Sequence, residues 1–226
     1  MSGYIIYIFI FFILFGFVFS SILEYLNSKN WNDSIPDVLK DFYKESDYKR
    51  AKNYKIDRDK VSLISSLLST SITIMFIVSG FYGKIGDYSI YYFDSLFLQS
   101  AAFFLFFLII SIAISLPISY YSVFTIEEKY GFNKTTKITF LKDKIKGLLM
   151  SLIIGGFILF VSIQIYILFG VNFWLWLWLF LSVFLILTNM FYTTLIVPIF
   201  NKLSPLEEGS LKNKIEEYSK KIGYSL

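Results

Sequence analysis

Apolar and polar positions are segregated along this chain into long blocks instead of alternating within each element. Charge-free runs cover residues 1–23, 61–83, 95–126 and 147–201, and the charged residues sit in the gaps between them. A soluble domain would interleave the two so that each element could turn one face to water. The pattern therefore predicts an all-α polytopic membrane protein. A helix rises about 1.5 Å per residue through a hydrocarbon core about 30 Å thick, so each crossing needs about 20 apolar residues. Five spans result, at about 4–23, 61–82, 96–116, 147–169 and 173–197. Pro117 ends or kinks the third, and Gly170, Val171 and Asn172 form the hairpin between the last two. The first span reads as an uncleaved anchor, because Met1 to Tyr4 carries no Lys or Arg and the apolar run is longer than a signal peptide needs.

Basic residues accumulate in cytoplasmic loops. Lys and Arg number nine in 24–60, one in 83–94, six in 117–146, none in 170–172 and five from 198 onward. This alternation predicts an N-terminus outside and a cytoplasmic tail, so that 1–200 is a five-helix membrane domain and 201–226 a cytoplasmic extension. Trp174, Trp176 and Trp178 open the fifth span at the depth where indoles anchor to the interface. The net charge of +4 is explained by basic loops beside anionic lipid and calls for no nucleic acid.

Composition then narrows the chemistry. The chain has no Cys, which excludes a disulfide scaffold and a thiolate metal site, and no His, which removes the commonest general base and metal ligand together. No span holds an ionisable group, which argues against an ion-coupled transporter. Gln99, Gln164 and Asn189 are read as interhelical hydrogen-bonding groups, and Ser62, Ser66, Ser69 and Thr73 as a hydroxyl face that packs or lines a wet chamber. Gly147, Ser151 and Gly155, with Gly156 adjacent, form a small-residue register suited to close helix packing. Abundant Phe, Tyr, Ile, Lys and Asn hint at an AT-rich genome and a bacterial cytoplasmic membrane; in a eukaryote the expected place is the endoplasmic reticulum.

Two sequons, at Asn32 and Asn133, fall on the side predicted to be cytoplasmic and are discarded. The second basic loop is more informative. It carries Glu127, Glu128, Lys129, Tyr130, Gly131, Phe132, Asn133 and Lys134, then Phe140, Asp143 and Lys146 as the next helix begins. Its paired acids are suited to hold basic groups of a substrate, to brace a lid, or to fix the loop through Lys129 and Lys134; bracing is the reading physics favours. In the tail, Ser204, Pro205 and Glu207 have the shape of a capping box. Leu211, Ile215, Tyr218 and Ile222 then mark one apolar stripe on a short helix that stops near Gly223.

The ordered string from Ile126 to Thr136, followed by Phe140, Asp143, Lys146 and Gly147, resembles the membrane region of type I CAAX prenyl proteases, integral-membrane zinc metalloendopeptidases. The stretches Tyr48–Asp57 and Pro198–Gly209 agree with it, and Tyr130 stands where many members carry His. The resemblance implies seven membrane helices around a water-filled chamber, a zinc ion held by an HExxH helix and a later Glu, and prenylated or other membrane-associated protein substrates. A chain without His cannot supply HExxH, so no residue here is assigned a catalytic or metal-ligating role. The expectation is an N-terminal membrane domain that forms chamber wall and is inactive alone. The missing catalytic domain is then its partner, and covers the tail stripe unless membrane lipid does. The loop residues Glu127, Glu128, Gly131, Phe132, Asn133, Lys134, Asp143 and Lys146 would brace or orient substrate. The alternative is a non-catalytic membrane protein, such as a small solute channel or an assembly factor, that has lost the protease half.

Overall fold

A computed structural model describes residues 2–31, 34–36 and 40–224. Asn32 of the first sequon and the final residue Leu226 lie outside them. The described residues are helical throughout apart from turns and connecting segments. Four helical stretches are long and apolar enough to cross a membrane: Tyr4–Lys29, Glu45–Val78, Leu96–Glu127 and Lys137–Phe200. At 64 residues the last is too long for one crossing. It reverses at the 3₁₀ turn Gly170–Asn172, because Lys146 near its start reaches the Ile199 carbonyl near its end, at 2.9 Å. Five apolar passes follow.

The chain divides into two compact units, 1–140 with 156–163, and 141–155 with 164–226. In the first, α1 (Ser2–Lys29) packs against α2 (Glu45–Val78). The polar first half of α2 precedes its apolar stretch. The helix stops at Val78 and turns at Ser79 and Gly80, so the predicted second span is interrupted and Tyr82 belongs to a separate helix, α3 (Phe81–Tyr92). Rings drive this turn: Phe76 lies 4.6 Å from Phe81, and Tyr82 lies 4.7 Å from Phe107 of α4 (Leu96–Tyr121). Ser95 caps α4 by accepting the Leu98 N–H at 3.2 Å.

Of the two outcomes expected at Pro117, an end or a kink, the end does not occur. α4 runs through it, and the missing N–H is followed downstream by a π-helical turn over Ser122–Glu127. A second π-helical turn, Tyr192–Ile196, separates α6 (Phe173–Phe191) from the short α7 (Val197–Phe200), which contains Pro198. The second turn lies beside Pro198, whose missing N–H would have bonded the Thr194 carbonyl inside that turn.

Other expectations are corrected in detail. Gln99 donates to the Phe93 carbonyl at 2.8 Å and Asn189 to the Leu185 carbonyl of its own helix at 2.8 Å, so among the described residues these two amides bond to local backbone. A Cβ built at Gly147, Gly155 or Gly156 of α5 (Lys137–Phe169) meets nothing within 4 Å among the described residues, and the packing role expected of Gly147, Ser151 and Gly155 stays an expectation. The capping box at Ser204 does not form: 202–207 is not helical, and α8 (Ser210–Ile222) starts only after Gly209.

Candidate functional site

Arg50, Tyr54 and Asp57 recur at four and three residues on α2, which places them on one helix face. That face holds the loop that follows α4. Asp57 Oδ2 accepts from Lys129 Nζ at 2.7 Å and from Tyr130 Oη at 2.8 Å. Arg50 donates to the Tyr130 carbonyl and lies over the Phe132 ring, 5.5 Å from its centroid. Tyr54 meets Tyr130 edge-on at 5.5 Å and Phe132 at 4.9 Å. Tyr130, at 7% exposure, is one of the few buried side chains among the described residues, beside Ile126 of the π-turn.

The loop's backbone explains why it can be held so. Gly131 takes φ 68°, the left-handed conformation that ends a helix, and its N–H bonds to the Glu128 carbonyl at 2.9 Å. Phe132 N–H reaches back to the Glu127 carbonyl at 2.9 Å. Together these close the helix carbonyls that would otherwise be orphaned. Glu127 thus acts through its backbone. Glu128 accepts from Asn133 Nδ2 at 2.7 Å, while Asn133 Oδ1 accepts the Thr135 N–H at 2.7 Å and opens the turn into α5. Thr136 caps α5 by accepting the Thr139 N–H at 3.1 Å. Rings of Tyr120, Phe124 and Phe140 close the base of the loop, with Phe124 and Phe140 5.5 Å apart.

Electrostatics favour the closed arrangement. The hydrogen bond from Lys129, and then that from Tyr130, holds the Asp57 carboxyl below its ordinary range. Lys129 is raised first by its bond to Asp57. Tyr130 is raised first by loss of water and then by its bond to Asp57, so the phenol stays a donor.

The structure therefore brings together Glu128, Gly131, Phe132 and Asn133 of the expected loop residues. It does not pair Lys129 with the neighbouring acids; Lys129 crosses to Asp57 instead. Lys134 makes no side-chain bond among the described residues. Asp143 and Lys146 lie farther along α5, and Lys146 belongs to the second unit. There it caps the end of α7, with Nζ 2.9 Å from the Ile199 carbonyl and 5.9 Å from the Phe200 ring centroid. Sequence reasoning did not single out Arg50, Tyr54, Asp57 or Lys129 as an ensemble. The available signal was the shared face at 50, 54 and 57.

A cleft of about 230 Å³ lies between α2 and α4, lined by Ser65, Ser69 and Thr73 on one wall and Ser111 and Ser115 on the other. The hydroxyl face thus runs through residues 65, 69 and 73 in place of the expected register with Ser62 and Ser66. Thr73 Oγ1 donates to its own helix at Ser69, 2.9 Å away. Among the described residues no three His, Cys, Asp or Glu side chains are grouped so as to hold a metal. The zinc implied by resemblance therefore does not fit these residues, and no chemical step is derived through it.

Comparison with known proteins agrees with this architecture. A family model described as the CAAX prenyl protease N-terminal region, with five membrane helices, matches residues 24–202. CAAX prenyl protease 1 of Saccharomyces cerevisiae is 31% identical over 221 residues, covering 93% of this chain and 49% of that protein. The CAAX prenyl protease 1 homolog of Caenorhabditis elegans is 34% identical over 191 residues, covering 84% and 42%. The crystal structure of S. mikatae Ste24p superposes with a TM-score of 0.83 at 32% identity, over 96% of this chain and 52% of that one. The chain spans about half the length of the curated relatives it matches.

Proposed function

Because the chain belongs to the CAAX prenyl protease N-terminal family, we propose that it is the membrane wall of a zinc metalloendopeptidase acting near the C-termini of prenylated or other membrane-associated proteins. In this reading the bond cleavage and the zinc belong to an HExxH segment outside these 226 residues. The residues present shape the chamber and hold its rim. The observation that carries the proposal is the family match over residues 24–202, and the clamp of α2 on the loop, through Arg50, Tyr54 and Asp57, supports a bracing role for that loop.

The orientation proposed is N-terminus outside with a cytoplasmic tail. Two contacts support it. Within the first unit the first basic segment meets the second through Asp57 and Lys129, and within the second unit Lys146 meets the tail side of α7. Basic segments that touch lie on one side of the membrane, and excess Lys and Arg marks that side as cytoplasmic. The relatives named above are eukaryotic, which lends the expected bacterial membrane no support and favours the endoplasmic reticulum.

The test uses the protein that carries both these residues and the HExxH segment. Ala substitutions at Glu128 and Asn133 should lower turnover by roughly tenfold through misplacement of the rim, with zinc still bound. Substitutions at Glu127 and Lys134 should do less, because their side chains make no bond among the described residues. Unchanged turnover in all four variants would overturn the assignment of the loop.

A further inference from the structure

We propose that the π-helical turn Ser122–Glu127 is a two-register element: α2 holds it in the wide register, and the regular α-helical register is a second state in which the motif loop leaves α2. A π-helical turn takes up one residue more than an α-helical turn. Each residue after it therefore sits where its predecessor would sit in a continuous α-helix. Conversion to the α register carries the start of the loop onward by one position, a rotation of about 100° and a rise of about 1.5 Å. The backbone at the end of the turn is already shared between registers, since the Glu128 N–H reaches the Val123 and Thr125 carbonyls, five and three residues back.

The side chains select the wide register. Before the exit of the turn, Phe124 is fixed between Tyr120 at 4.7 Å and Phe140 at 5.5 Å. After it, Ile126 and Tyr130 are buried, and Lys129 and Tyr130 both donate to Asp57. In the α register every one of these places changes hands. Thr125 takes the buried place of Ile126. Glu128 takes the place of Lys129, so that a carboxylate faces Asp57. Lys129 takes the place of Tyr130, which sets a cation beside Arg50. Like charges at contact distance disfavour that state, and Asp57 contributes twice, by attracting Lys129 and by repelling Glu128. Release also withdraws Glu128 from its present bond to Asn133, so the register sets where the rim stands. Wide turns of this kind occur frequently at functional sites. The inference rests on contacts inside the first compact unit and is independent of the proteolytic reading.

The 226 residues contain no Cys, so two nitroxides can report the register, at Asn53→Cys on α2 and Lys134→Cys in the loop, both exposed positions. The measurement uses the longer protein that also carries the HExxH segment, with any cysteine outside these residues replaced. Electron paramagnetic resonance should give one distance. Asp57→Asn should add a second, its population raised roughly tenfold. Deletion of Thr125 in the Asp57→Asn protein removes the extra residue and leaves the loop in its present place, so the second distance should vanish. Glu128→Lys keeps Asp57 and the chain length, and should populate the same second distance because a lysine replaces the opposed carboxylate. This variant decides the matter if the deletion does not fold. A single distance in both Asp57→Asn and Glu128→Lys would overturn the proposal. A second distance that survives deletion of Thr125 would overturn it in favour of general loosening of the loop.

Discussion

Asp57 shows how a single carboxylate can hold two segments 72 and 73 residues apart in sequence, by accepting from Lys129 and Tyr130 together. Its depressed pKa means that its contribution is fully present above the ordinary value near 3.9 and is lost as pH falls through the lower folded value. The raised Lys129 works in the other direction: its contribution is present below the ordinary value near 10.4 and is lost as pH rises through the folded value. The clamp should therefore stay closed between about pH 4 and pH 10 and loosen at either extreme. Asp57→Asn should abolish the acid limb, a change readable as protection of the loop from proteolysis across pH. A loop whose protease sensitivity is the same in both proteins at every pH would contradict this. Gly131→Ala should destabilise by about 1–2 kcal/mol, because a side chain is strained at φ 68° and its Cβ would come 2.8 Å from the Arg50 guanidinium. Thermal unfolding in detergent checks it, and Gly131→Asn should cost less. None of these long-range pairs was legible in the sequence, where local spacing shows only that positions 50, 54 and 57 share a face.

At the scale of elements the apolar runs were readable because membrane helices must satisfy their own backbone and cannot hide their length. Their ends were less so. Pro117 reads as an end or a kink, and the helix passes through it to Tyr121, with a π-helical turn following at Ser122–Glu127. Ser204 has the right residues for a cap, but the chain stays non-helical until Gly209; Thr136, which caps α5, was not singled out in the sequence. Thr136→Ala should cost about 1 kcal/mol at the start of α5, measurable as a shift in thermal unfolding. No shift there would show that the cap does not fix the loop's exit. α3 was missed because its residues lie partly in an apolar run; the break before it comes from Gly80 and the clustering of Phe76, Phe81 and Tyr82.

For the whole molecule, the 226 residues contain no His, and the proposed function accordingly assigns the bond chemistry to another segment. The number of apolar passes and the family were legible, because run length and one long ordered string carry them. The clamp and the displaced hydroxyl cleft depend on how helices meet, which spacing alone does not fix. The central assignment is that this chain forms wall and rim and leaves bond chemistry to another segment. It is tested most directly by measuring zinc content and chelator-sensitive hydrolysis of a prenylated peptide in the purified 226-residue chain, beside the protein that includes HExxH. The expected result is no stoichiometric zinc and no cleavage in the chain, with both present in the longer protein. Tightly held zinc with chelator-sensitive cleavage by the chain itself would contradict the assignment.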